Sequence, residues 1–235
     1  MHRLLSFLLV GALLLVGCGS APSPSPAASP SVAATPAPTA SESAVARPIE
    51  LSASPDPLRP GQYTRSGFRP AITFELGDGW FTGTLDNGFF DVQQDRGTPD
   101  VIAVQFAVVR GVVGAEGATV NPETAAEAAA AIAQNPSLEV LGESGSTMSG
   151  LTGSNLELEN SGEAHAGILD VSLGRLGIDP GRRLWISLFD TPDGLLAIMV
   201  GGSVAQWDRA LTTAEPVLES VVIGDGRAAP DLAPS

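Results

Sequence analysis

Hydrophobic positions fall into three regimes along the 235 residues. An almost unbroken apolar run covers residues 4–16, and residues 19–48 hold hardly a large apolar side chain. From about residue 49 apolar and polar positions alternate in short stretches, the pattern of strands that bury one face. Ile72, Phe74 and Leu76 share one face of such a stretch, with Thr73 and Glu75 on the other. Gly77-Asp78-Gly79 interrupts it, and Trp80 opens the next. Asp86-Asn87-Gly88 predicts a tight hairpin with positive-φ residues between 82–85 and 89–92. Residues 101–109 are apolar on both faces, as a central strand is.

Asn121-Pro122-Glu123 predicts a helix start, with a capping side chain, Pro in the first turn and an acid against the dipole. The helix runs through seven alanines to about Gln134, where Asn135-Pro136 stops it. Its only large apolar residue is Ile132, so it is expected to pack closely but shallowly. Three strands follow. Leu156 and Leu158 alternate with Glu157 and Glu159; Leu169, Val171 and Leu173 alternate with Asp170 and Ser172; Leu184, Ile186 and Leu188 oppose Trp185 and Phe189. Thr191-Pro192-Asp193-Gly194 turns the chain into a buried run at 195–200. A last helix carries Val204, Trp207, Leu211, Ala214, Val217, Leu218 and Val221 on one stripe. Pro216 falls inside it, which predicts a break near Thr212 with Thr213 capping a second turn. Strands joined by hairpins, with one Ala-rich helix in the middle and one at the end, predict an α+β domain: an antiparallel sheet with both helices packed on it.

The apolar run at 4–16 follows Arg3 and would span about 20 Å as a helix, against a hydrocarbon core of about 30 Å, which predicts a signal peptide over residues 1–17. Its end, Leu15-Val16-Gly17-Cys18, resembles the bacterial lipobox. That resemblance implies a diacylglycerol thioether on Cys18, cleavage before it, and a lipoprotein anchored in the cell membrane on the extracytoplasmic side. Cys18 is the only cysteine, so no intrachain disulfide forms. Residues 18–48 read as a disordered Ala/Pro/Ser/Thr linker of extended PPII character, 49–224 as one domain, and 225–235 as a disordered tail.

Charge narrows the partners. The formal net charge is −14, and with no Lys present all twelve basic residues are Arg. Such a surface repels phosphate backbones, so nucleic acid is not an expected partner. Besides the membrane at Cys18, the expected partner is an envelope protein or small ligand. His165 is the only histidine beyond the leader and lies in a polar turn. A Ser- or Cys-based nucleophile therefore has one candidate base, in a solvated position. No G-x-S-x-G or Walker A sequence occurs, Gly111, Gly114 and Gly117 have the wrong spacing for a dinucleotide loop, and no zinc ligand set is present. No cofactor is expected. Carboxylates remain: Asp190 and Asp193 share a turn that could hold Ca²⁺ weakly, and paired acids could run an envelope hydrolase. Glu157, Glu159 and Glu163 read as a solvated face, and Arg182-Arg183 as partners of nearby acids. Trp80, Trp185 and Trp207 read first as core; if a ligand pocket exists, Trp185 and Phe189 are its first candidates.

Phe74 through Gly79-Trp80, where a strand ends in an acidic turn and a Gly-Trp pair, resembles the PsbP-like class of extracytoplasmic domains. So does the closing Leu211…Pro216-Val217-Leu218-Glu219-Ser220-Val221 after the strand at 195–200. The resemblance covers most of residues 60–224. It implies a central antiparallel sheet between helices and a non-catalytic binding or assembly module, and it transfers no metal site.

Overall fold

The computed structural model describes residues 47–224. The leader, Cys18, the linker as far as residue 46 and the tail from 225 lie outside the described residues. Strands β1 (Ile49–Glu50), β2 (Gly61–Thr64) and β3 (Ile72–Leu76) come first, then the hairpin of β4 (Phe81–Leu85) and β5 (Phe89–Gln94). Next come β6 (Ile102–Val108), β7 (Gly111–Val113), β8 (Thr119–Val120) and helix α1 (Ala125–Ala133). Three hairpins follow: β9 (Glu139–Met148) with β10 (Leu151–Glu159), β11 (Ala166–Val171) with β12 (Gly174–Ile178), and β13 (Arg182–Thr191) with β14 (Gly194–Ser203). Helix α2 (Trp207–Ser220) and β15 (Val222–Ile223) complete the described chain.

The fold is α+β and mostly antiparallel, with β1–β2 as the parallel pair. The expected single sheet is instead three. A seven-stranded sheet, in the order β4-β5-β6-β14-β13-β10-β9, stands between two four-stranded ones, β1-β2-β3-β15 and β12-β11-β7-β8. The physical reason lies in its middle strands, which are apolar on both faces and need a cover on each. On one face Phe90, Phe106 and Ile198 lie side by side and pack under α2 and β3. Phe90 stacks on Phe106 at 4.6 Å between centroids, Phe74 on Phe106 at 5.2 Å, and Phe68 meets Phe90 edge-on at 4.9 Å. Each such pair adds about 0.5–1.5 kcal/mol beyond burial. On the other face Leu184, Ile186, Leu188, Ala197 and Met199 pack under α1 and the β11–β12 sheet.

Several local expectations change. The turn at Asp86-Asn87-Gly88 joins β4 and β5, yet none of the three has positive φ. Asp86 Oδ2 accepts the Gly88 N–H at 3.1 Å, and a Cβ on Gly88 would stand 2.8 Å from Ser172 Oγ, so close approach requires the glycine. Helix α1 starts at Ala125 with Thr124 as its cap, not at Asn121-Pro122: Thr124 Oγ1 accepts the Glu127 N–H at 3.2 Å. Glu127 in turn accepts from the Glu123 N–H at 2.8 Å, an arrangement close to a capping box. The helix packs through Ala125, Ala128, Ala129 and Ile132. Leu173 lies outside β11, 49% exposed in the turn to β12, and the inward residues there are Ile168, Leu169 and Val171. Strands β9 and β12 carry no periodic burial and escaped the alternation test. Arg183 meets acids as expected, whereas Arg182 donates to the carbonyls of Pro99 (3.1 Å) and Val101 (2.8 Å).

Helix α2 runs unbroken through Pro216, with no second cap at Thr213. Pro216 is exposed, so its ring displaces water rather than core, while Ala214 and Val217 on either side are buried against the sheet. Packing of that stripe outweighs the hydrogen bond that the Thr212 carbonyl loses. Pro216→Ala is therefore expected to stabilise the domain, by up to about 3 kcal/mol, with an unchanged far-UV spectrum; chemical denaturation of the two proteins measures it.

Candidate functional site

Strand β13 sorts its residues by parity. Leu184, Ile186 and Leu188 enter the core under α1, whereas Trp185, Ser187 and Phe189 face the α2 side. Helix α2 lies over β3, β6 and β14, and the chain at its end meets the β10–β9 margin of that face at the β9–β10 turn, where Ser149 Oγ donates to the Val221 carbonyl and accepts the Ile223 N–H. Phe189 therefore ends fully enclosed in the aromatic core and lines no hollow, while Trp185, nearer the seam, is partly buried. The structure separates the two candidate ligand residues: only Trp185 reaches a groove.

That groove consists of two adjoining hollows of about 390 and 480 Å³, which share Trp185, Leu218 and Glu219. One continues to Ser146, Met148 and Val221, the other to Leu211, Glu157 and Glu215. Its walls are apolar because they are the outer margin of the α2 stripe. Beside it the sheet surface is small and polar: Ser187 donates to Asn155 Oδ1, and Ser146 Oγ lies 3.4 Å from Ser187 Oγ. Glu157 and Glu159 hold the Arg183 guanidinium at 3.6 and 2.6 Å. Glu215 and Glu219 are exposed and have no ion pair among the described residues.

The other candidates are placed as follows. Trp80 and Trp207 are core residues at 2% and 5% exposure. His165 Nδ1 lies 2.8 Å from Asp179 Oδ1 in an exposed pair. Asp190 Oδ1 accepts the Ala125 N–H at 2.8 Å and so holds the first turn of α1, while Asp193 lines a separate cleft with Arg69, Arg110 and Asp86. No cluster of three or more His, Cys, Asp or Glu suited to a metal occurs among the described residues. No helix among them is long and apolar enough to cross a membrane.

One acid was not anticipated. Asp91 is 2% exposed in the middle of β5, and burial pushes its carboxyl up from the ordinary value. Gln93 Nε2 and the Thr84 N–H each donate to it at 2.5 Å and oppose that shift. It fills a bulge in β4, where a Cβ on Gly83 would stand 2.3 Å from the carboxylate. The signal in the sequence is a single acid inside the apolar run Phe89-Phe90-Asp91-Val92. Because the folded value exceeds the unfolded one, at pH between the two the native state binds more protons at this site than the unfolded chain does. Asp91 thus contributes a penalty that grows as pH rises from the unfolded value through the folded one. Asp91→Asn, with the Gln93 amide reversed to accept, is expected to flatten that pH dependence. At pH 7 it should raise Tm by about 2–4 °C, the effect of ~1 kcal/mol in a domain of this size; calorimetry from pH 4 to 8 tests it.

No protein-family model and no curated protein matches the chain. Among solved structures, it is similar to cyanobacterial PsbP from Synechocystis, at 13% identity and a TM-score of 0.41 over 70% of this chain and 92% of that one. A Bacteroides thetaiotaomicron protein is similar at 8% identity and a TM-score of 0.32, over 68% of this chain and 47% of the other.

Proposed function

We propose that the protein is a lipid-anchored extracytoplasmic module that binds rather than catalyses, tethered through Cys18 and using the Trp185 groove as its binding site. The groove is the observation that carries this reading. Trp185, Leu211 and Leu218 present apolar surface where α2 stops short of the sheet margin, beside the hydroxyls of Ser146 and Thr212, which line the groove and can orient a ligand. The acids reinforce it. Asp91 is enclosed, and Glu157 and Glu159 are committed to Arg183, so neither set stands as a free acid–base pair across a cleft. The PsbP-like pattern at Phe74–Trp80 and Leu211–Val221 supports the same reading. Two or three acyl chains at about 0.8 kcal/mol per buried CH₂ give a stable anchor.

Two measurements test it. Cys18→Ser is expected to abolish incorporation of labelled palmitate and to move the protein out of the membrane fraction or leave its leader uncleaved; a variant that stays membrane-bound with the leader cut rejects the anchor. The neutral dye 1-N-phenylnaphthylamine is expected to brighten on the full chain and to lose most of that signal on Trp185→Ala or Leu218→Glu. Equal brightening on all three proteins, with unchanged Tm, rejects the groove.

A further inference from the structure

The two margins of the seven-stranded sheet differ. On the β4 side the strand has five residues and a bulge, and a preceding segment closes over it. Thr82 Oγ1 donates to the Ser52 carbonyl at 2.9 Å, and the Leu58 N–H to the Trp80 carbonyl at 2.6 Å. On the β9 side the strand has ten residues and no Pro, its one bulge lies at Leu141 near its start, and its ladder runs to β10 alone among the described residues. Val140 and Leu141 on it are 36% and 39% exposed. A long uncovered edge of this kind is a template for another strand.

Its free groups can be located. Ser149 (φ 52°) and Gly150 (φ 77°) make the β9–β10 turn, with Met148 opposite Leu151. Two consecutive positive-φ residues define a type I′ hairpin, in which the flanking pair is hydrogen-bonded. By alternation Thr147, Gly145 and Glu143 then point their N–H and C=O groups away from β10. Ser144, Ser146 and Met148 lie on the groove face of the same strand.

Charge selects the occupant. Glu139 and Glu143 lie on β9, and Glu157, Glu215 and Glu219 follow the groove, while Arg183 on that face is already held by Glu157 and Glu159. A second copy of β9 would add its own Glu139 and Glu143 to this acidic margin. Residues 18–46 of the chain itself are Pro-interrupted and contain no Arg or Lys. We infer that β9 accepts an extended cationic peptide segment as an eighth strand, with an apolar side chain of that segment entering the groove at its Met148 end. This rests on the groove being the binding site.

The test is fluorescence anisotropy of the detergent-solubilised full chain with a fluorescein-labelled eight-residue peptide of alternating Arg and Leu. Binding is expected to fall at least tenfold on Gly145→Pro, which removes an outward N–H, and to persist on Gly145→Ala, where a Cβ meets open space. A series of N-methylated peptides tests the same point without altering the protein: methyls on one parity of the peptide abolish binding and those on the other leave it. Glu215→Gln with Glu219→Gln is expected to weaken binding severalfold and reduce its salt dependence. Equal binding of an alternating Glu and Leu peptide overturns the charge selection. Undiminished binding to Gly145→Pro and to every N-methylated peptide overturns the strand addition; if Trp185→Ala still abolishes that binding, the groove stands and the edge falls. A dimer dispersed by Gly145→Pro, with no peptide bound, makes the occupant a second copy and overturns the inference.

Discussion

A sheet with apolar side chains on both faces cannot stand in water on either, and the whole domain follows from that requirement. Strands β6 and β14 bury most of their residues, and β13 buries both faces along its middle. One cover is α2 with the β1-β2-β3-β15 sheet, joined through the Phe68–Phe74–Phe90–Phe106 cluster; the other is α1 with β11, β12 and β7. The first cover reaches β9 only at its end, where Met148 packs against the cluster and Ser149 bonds to Val221 and Ile223, and the groove at Trp185 is the place where that cover runs out. The groove thus arises from incomplete coverage, with no separate structural device.

Much of this was legible in the residues. The stretch at 101–109, apolar on both faces, and the apolar run at 195–200 became adjacent central strands, β6 and β14, and the parity of β13 assigned Leu184, Ile186 and Leu188 to one face and Trp185 to the other. Illegible parts have specific causes. Strand β9 is exposed on both faces, so its sequence, Glu-Val-Leu-Gly-Glu-Ser-Gly-Ser-Thr-Met, has no core to be periodic about. Pro216 was weighed by local propensity, and tertiary packing of Ala214 and Val217 prevailed. Trp185 and Phe189 share a face and a strand, yet their fates diverge because how far α2 reaches is a property of helix placement that parity does not encode. Gly88 and Gly83 illustrate the same limit: both serve close approach to a residue distant in sequence or across a bulge, which no turn rule reveals.

The polar residues of the domain divide by what they hold. Asn135 Nδ2 donates to the Gly167 carbonyl at 2.8 Å, and Asn160 Nδ2 to the carbonyls of Ala164 and Ile178 at 2.8 and 2.7 Å, so both buried amides pin loops beside the β11–β12 sheet. Asp190 ties α1 to the end of β13. On the Trp185 side the pattern differs, since Glu215 and Glu219 satisfy no backbone group and no cation in the described chain. What sets these two acids apart is their place, on the rim of an apolar groove.

The covered margin has a mechanical consequence. The described chain begins beside β4: Leu51 bonds to Thr64, Ser52 receives Thr82, and six inter-strand spacings of about 4.8 Å separate that side from β9. Tension arriving through residue 47 would be borne first by the two-residue β1–β2 pairing and these few bonds. The strain would dissipate roughly 29 Å from β9, so a load applied at residue 47 would fray the proximal margin while leaving the distal one in register.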